Sequence, residues 1–374
     1  MTRVLLSLDK LRESNSGLER FSLHLACALA EAAAADVDLV FMAPRRRWPD
    51  LGGTGARLEP PRFFNKSRVQ SAVCRIVPAG MRSWGRPRYD VWHALAQDAK
   101  FLPLDPRIRL VLTLHDLTVR RIKSGKKLAQ AMRRFQANVD RASVVVTGSH
   151  FAAEEIREHL RLGDRPVEVI YHGITLDPAA PGHKPAGLGE GPFLVALGRV
   201  VRTKNLHTLV DMMTLVPDRN LLIVGDDSDP HAAELRNRVA DAGLNDRVRV
   251  LGPVGDPELV WLFHHADALL QPSLAEGFGL PVLEAMACGT PVFLARRTSL
   301  PEVGGELAFY WDTFEPDAMA TVFQRGMTIV AADPTYPDRL IAHAATFSWA
   351  AAARGYLDIY RSLAGVSSPP VGAG

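Results

Sequence analysis

Short apolar runs alternate with helix-spaced apolar residues along most of this chain, and the alternation stops once and restarts. Runs at 4–8, 37–42, 91–93, 110–115, 143–148 and 167–171 read as strands buried on both faces. After the first run, Leu18, Phe21, Leu25, Ala28 and Leu29 recur at helical spacing. Ser149 suits the cap of a later helix, with Glu154 and Glu155 in its first turn. Residues 177–192 are too rich in Pro and Gly for a regular element and read as a linker. The alternation then resumes with strands at 193–197, 221–224, 248–251, 268–271 and 292–295. Parallel strands need a crossover, usually a helix, so this order implies doubly wound α/β sheets. The expected domains are 1–176 and 193–346, with a last helix over 347–364. Residues 44–88, rich in Pro, Arg and Gly, read mostly as loops and short helices.

A length of 374 residues is enough for two cores. The three cysteines, Cys27, Cys74 and Cys288, are widely spaced and fit neither a metal site nor a disulfide framework, which points to a reducing cytoplasm. The first residues read as a strand and not as a signal peptide. No apolar run approaches the roughly 20 residues of a membrane-spanning helix. The overall charge of +3 hides an imbalance: residues 1–180 carry 29 Lys+Arg against 19 Asp+Glu, and the remainder 15 against 22. A basic half favours an anionic substrate or an anionic membrane. Its clusters are Arg45-Arg46-Arg47-Trp48 and the run from Arg120-Arg121 through Lys126-Lys127 to Arg133-Arg134.

The densest chemistry lies at 276–292. Glu276-Gly277-Phe278-Gly279 reads as a tight loop, and Pro281 suits the start of a helix. Gly289 would end that helix, and Thr290-Pro291-Val292 opens the next strand. The N–H groups of Gly279, Leu280 and Val282 are expected to point out of the helix start as a positive pole suited to phosphate. Glu276 and Glu284 flank it with carboxylates suited to sugar hydroxyls.

This Glu-x7-Glu, with Gly-Phe-Gly-Leu-Pro inside and Ala-Cys-Gly-Thr-Pro at and beyond its end, resembles the retaining family 4 glycosyltransferases of bacterial surface-polysaccharide type. The resemblance implies the GT-B architecture: two Rossmann-like doubly wound domains facing across a cleft, with the last helix packed back on the first. It also implies transfer of a sugar from a nucleoside-diphosphate donor with retention, needing neither a metal nor another cofactor. Glu276 would hold the donor sugar and Glu284 the ribose. Arg199 and Lys204, in Gly198-Arg199 and the following Thr203-Lys204-Asn205, would hold the diphosphate. His115, in Leu114-His115-Asp116, would lie close to the donor sugar, with Asp116 orienting neighbours.

In the first loop the family usually has adjacent glycines where this chain has Ser16-Gly17. Gly17 alone carries over, and Arg20 is left between phosphate and a neighbouring acid. Residues 251–256 fall where the family cradles the base. There Asp256 either accepts the paired N–H groups of guanine or caps the helix at Pro257. The guanine reading makes GDP-mannose the donor and the chain a mannosyltransferase. The expected acceptor is a glycan or lipid-linked sugar, as in lipopolysaccharide biosynthesis, with peripheral contact to the inner membrane face and no nucleic acid. A sugar-nucleotide epimerase of the same fold and a non-catalytic sugar-nucleotide-binding subunit stay open on sequence alone.

Overall fold

The computed structural model describes residues 1–11, 17–61 and 88–365, and they form two compact units. One comprises Met1–Gly173 with the segment from Ser348; the other is Ile174–Phe347.

The first unit holds strands β1 (Thr2–Ser7), β2 (Val37–Met42), β3 (Arg57–Glu59), β4 (Val91–Ala94), β5 (Arg109–Thr113), β6 (Val144–Thr147) and β7 (Val167–Val169). They lie in the order β3-β2-β1-β4-β5-β6-β7, every neighbouring pair parallel. Its helices begin with α1 (Gly17–Ala32), α2 (Val119–Ile122), α3 (Gly125–Val139) and α4 (His150–His159). Val4 and Leu6 are fully buried in one core, with Phe21, Leu25 and Leu29 of α1. Leu5 belongs to the core on the opposite face, with Leu110, Leu112 and Phe135. Each such side chain contributes about 1.5–3 kcal/mol on leaving water. Ser149 caps α4 by accepting the Ala152 N–H at 3.1 Å.

The second unit holds β8 (Phe193–Leu197), β9 (Asn220–Val224), β10 (Val248–Gly252), β11 (Ala268–Gln271), β12 (Val292–Ala295) and β13 (Phe309–Trp311). The order is β10-β9-β8-β11-β12-β13, again all parallel. Its helices are α5 (His207–Met213), α6 (His231–Asp241), α7 (Asp256–His265), α8 (Leu280–Ala287), α9 (Leu300–Gly304), α10 (Pro316–Ala332) and α11 (Tyr336–Ala345). The final helix, α12 (Trp349–Ala364), belongs to the first unit, where Ala353, Tyr356, Leu357 and Tyr360 enter the core shared with α1.

Both sheets are Rossmann-like. Each has one point where the strand order reverses, between β1 and β4 in the first unit and between β8 and β11 in the second. Loops leaving the carboxyl ends of those strands diverge there and open a crevice for ligands.

The structure departs from the sequence reading in three places. Strands β3 and β13 are additional; each is three residues long, too short for a periodicity to register. The segment expected as a linker is packed on the second unit, which begins at Ile174. His183 donates its N–H to the Pro257 carbonyl at 3.2 Å, Lys184 lies over Trp261, and Gly182 sits where a Cβ would come within 2.9 Å of the Trp261 nitrogen. Strand β5 ends at Thr113, so His115 lies in the following loop and not at the strand's end.

Candidate functional site

In the second unit the site grows from the two strands that flank the reversal. Past the end of β8, Gly198 adopts φ 143°, a conformation that favours glycine. A Cβ there would also come within 3.1 Å of the Lys204 side chain. Arg199 follows, with its side chain 65% exposed and 3.5 Å from Asp226. A 3₁₀ turn, Arg202–Lys204, then carries Lys204 back over the sheet. Past the end of β11 come Ser273 and Glu276. Lys204 Nζ lies 2.6 Å from Glu276 Oε1, and the two side chains are only 17% and 11% exposed. Gln271 Nε2 donates to the same oxygen at 2.7 Å and to Ser273 Oγ at 3.1 Å. Burial works to raise the Glu276 pKa, but the Lys204 charge and hydrogen bonds from Lys204, Ser273 and Gln271 prevail, holding it below the usual value.

The Gly-rich turn then delivers α8. Gly279, at φ 113°, is the residue before the helix, and the Gly279 and Leu280 N–H groups have no intramolecular acceptor among the described residues. Two details differ from expectation. Leu280 begins the helix, making Pro281 the second helical residue. Val282 donates its N–H to the Gly279 carbonyl at 2.9 Å, so that N–H closes the first turn and is not offered outward. Glu284 is 3% exposed and accepts the Thr175 hydroxyl. One turn later, burial and the Glu284 charge push the Cys288 thiol up to about 12. Gly289, at φ 75°, follows the helix as expected of a stop.

Asp256 is the first residue of α7 and exposed, while Gly255 precedes the helix and donates its N–H to Glu258 Oε2 at 3.0 Å. The helix thus starts one residue earlier than expected, with Gly255 at the position before it and Glu258 closing back on the Gly255 N–H. The Gly225-Asp226 turn is structural: a Cβ on Gly225 would meet the Gly198 carbonyl at 2.2 Å, so the loops after β8 and β9 cross on bare backbone.

In the first unit, Gly17 opens α1, and a Cβ there would touch nothing within 4 Å. Ser16 and the rest of that loop from residue 12 lie outside the described residues. Arg20 is half-buried on the first turn of α1. His115 Nε2 lies 2.9 Å from the Leu95 carbonyl, which can only accept, so Nε2 carries the proton and Nδ1 the lone pair. Burial lowers the His115 pKa and keeps the ring neutral. Phe21 meets the ring edge-on, centroids 4.7 Å apart. Asp116 accepts the Thr118 N–H at 2.8 Å, an orienting role.

The structure therefore joins Lys204 to Glu276, sets Arg199 on the same loop as Lys204, and gives Glu284 a separate buried partner. Sequence reasoning missed Gln271, Ser273 and Thr175. Gln271 had a signal, a polar residue closing an apolar strand; Thr175 had none, since its partner is more than a hundred residues away. It also missed Lys10 and Asp98, which pair where the loops after β1 and β4 diverge, with Arg134 3.7 Å from the same carboxylate.

Comparison with known proteins adds a second line. Residues 183–344 match the family model described as glycosyl transferases group 1, and residues 15–178 match that of glycosyltransferase family 4. The chain is 31% identical to the D-inositol 3-phosphate glycosyltransferase of Mycolicibacterium gilvum (strain PYR-GCK) over 314 residues, 77% of this chain and 70% of that protein. Sucrose-phosphate synthase from Thermosynechococcus elongatus superposes with a TM-score of 0.71 at 22% identity, over 98% of this chain and all of that one. Anabaena Alr3699/HepE, in complex with UDP and glucose, gives 0.73 at 20%, over 97% of this chain and 100% of that one. At such identities the two structures speak for the fold alone, the GT-B pairing of Rossmann-like domains.

Proposed function

This chain belongs to the family 4 glycosyltransferases, and on that premise we propose that it moves a hexose from a nucleoside-diphosphate sugar to an acceptor hydroxyl, with retention and without a metal ion. The observation that carries the reading is the buried Lys204–Glu276 pair, set between the Arg199 loop and the start of α8. Bond cleavage leaves an additional negative charge on the terminal phosphate of the departing diphosphate. Lys204, Arg199 and the N–H groups of Gly279 and Leu280 are the preorganised positive groups that meet it. In the empty protein Glu276 neutralises Lys204; the donor's diphosphate takes over that ammonium, and Glu276 turns to the sugar hydroxyls. Glu284 exchanges the Thr175 hydroxyl for those of the ribose. In the first unit, the neutral His115 offers Nδ1 as acceptor for a hydroxyl, and Gly17 leaves open space at the opening of α1 for a ligand.

For the base we propose guanine, read by Asp256, an exposed residue at the start of α7. The donor is then GDP-mannose. For the acceptor we propose a lipid-linked glycan of a surface polysaccharide, reached at the cytoplasmic face of an anionic membrane. Residues 117–139 contain seven Lys or Arg and no Asp or Glu. Of these, Arg120, Lys123, Lys126, Lys127 and Arg133 make no ion pair among the described residues, and Ile122 beside them is 62% exposed. A second reading, favoured by the names of the curated relatives, is a phosphorylated polyol as acceptor.

Thermal shift with GDP, UDP and ADP tests the donor, and product analysis with GDP-mannose tests the transfer. The expected result is stronger protection by GDP than by UDP, lost in Asp256→Asn, and an α-linked mannoside as product. Equal or better protection by UDP overturns guanine and mannose together. Transfer to inositol phosphate, without transfer to a lipid-linked sugar, overturns the first acceptor reading in favour of the second.

A further inference from the structure

Among the described residues two that are not glycine have positive φ: Asn205 at 57° and Thr298 at 53°. Left-handed backbone is uncommon outside glycine; asparagine tolerates it, and for a β-branched residue such as threonine it is a genuine outlier. The two lie 93 positions apart in sequence, yet both adjoin the same ion pair.

Asn205 directly follows Lys204. Its left-handed turn, with ψ 27°, ends the 3₁₀ turn Arg202–Lys204. Its N–H donates to the Arg202 carbonyl at 3.1 Å, and its own carbonyl accepts the Thr208 N–H at 3.1 Å and hydroxyl at 2.8 Å. The residue is 4% exposed, and its side-chain Nδ2 is buried without a partner. Buried side-chain polar groups without a partner are uncommon.

Thr298 acts from the other side. Its hydroxyl accepts the Glu276 N–H at 3.1 Å. The next residue, the fully buried Ser299, donates to the Glu276 carbonyl at 3.2 Å and to the Phe278 carbonyl at 2.8 Å. The backbone that carries the Glu276 carboxylate is thus held at both ends by the loop after β12. Backbone strain of this kind persists where surrounding structure over-determines it, and it clusters at functional sites.

We propose that Asn205 and Thr298 are positioning residues: their left-handed backbones hold Lys204 and Glu276 in register, so that ammonium and carboxylate meet the donor as one preset unit. The inference rests on the donor-site reading above and acts wholly through that pair. Neither residue is assigned a contact with the donor.

The test separates backbone from side chain. Asn205→Gly and Thr298→Ser ease the left-handed backbone, and the second keeps the hydroxyl. Asn205→Ala makes the left-handed backbone harder to hold, and Thr298→Ala removes the hydroxyl that accepts the Glu276 N–H. Competitive acetylation with acetic anhydride, read by peptide mass spectrometry, reports how well Lys204 is protected relative to the exposed Lys126. Calorimetry with GDP and with UDP reports the donor site, and melting reports the fold.

In the two alanine variants Lys204 acetylation should rise and nucleoside-diphosphate affinity fall, each about tenfold, the scale of such a backbone strain at Asn205 and of a lost buried hydrogen bond at Thr298, expressed in an equilibrium. The glycine and serine variants should keep both near the parent values, with melting temperatures no lower. Unchanged Lys204 protection in both alanine variants overturns the proposal. So does an equal loss of melting temperature in all four, which marks a purely structural role. If neither nucleotide binds the parent protein while acetylation follows the expected pattern, the donor reading fails and the positioning role stands.

Discussion

At the scale of residues, the site is a contest of charges. Lys204→Ala leaves Glu276 buried without its cation, so this variant should lose both turnover and stability. Turnover should drop about 10²-fold or more, the scale of one preorganised contact. The sign of the pH dependence follows from Glu276: a carboxyl held below its usual value stabilises above that value and stops doing so as pH falls through the native one. Melting between pH 6 and 3 should therefore show a smaller loss for Lys204→Ala than for the parent over that window, because the pair's contribution is already gone. Arg199→Ala, mostly exposed, should lose turnover with an unchanged melt. A melt lowered as much as that of Lys204→Ala would make Arg199 structural. Glu276, Lys204 and Arg199 were legible in sequence because motif and strand end coincide there. Thr298 was not: its partner is 22 positions away, and nothing in the residue's identity announces a left-handed backbone.

At the scale of elements, strand and helix positions were legible wherever a short apolar run falls in the strand–helix alternation, and β3 and β13, three residues each, were not. The return of α12 to the first sheet rests on side chains that no periodicity reveals. His93 of β4, fully buried, meets the Tyr360 hydroxyl at 2.6 Å through Nδ1 and the Thr113 hydroxyl at 2.7 Å through Nε2. Arg361 reaches Asp36, ahead of β2, at 2.8 Å. Burial, with a smaller push from His115, lowers the His93 pKa to about 3. The unfolded chain therefore takes up a proton that the native one refuses. The stability tied to neutral His93 is complete above about pH 6.5 and drains away as pH falls toward 3. His93→Gln should melt at a lower temperature at pH 7, by the loss of buried hydrogen bonds at about 1–3 kcal/mol. Its melting temperature should also decline less steeply from pH 7 to 4. A parallel decline in both proteins would assign the acid sensitivity elsewhere. At the start of the same helix, Ser348 accepts the Ala351 N–H at 3.1 Å, and Ser348→Ala should cost about 1 kcal/mol in urea melts.

At the scale of the whole molecule, the charge imbalance was legible by counting, but its place was not. The structure gathers seven of the cations on α2, α3 and the turn between them. Reversing Lys123, Lys126 and Lys127 to Glu should abolish co-sedimentation with vesicles of anionic lipid at low salt, since each Lys near such a surface contributes about 1 kcal/mol. Undiminished binding would move the membrane contact off this surface. The division into units also has a consequence in time. The second unit is one unbroken stretch of chain, whereas the first is completed only by α12. A ribosome must therefore make all of the second unit before the first can close its core. During that interval the hydrophobic wall that receives Tyr356 and Tyr360 stands open to chaperones and to other nascent chains, and the half that is made first is the last to be finished.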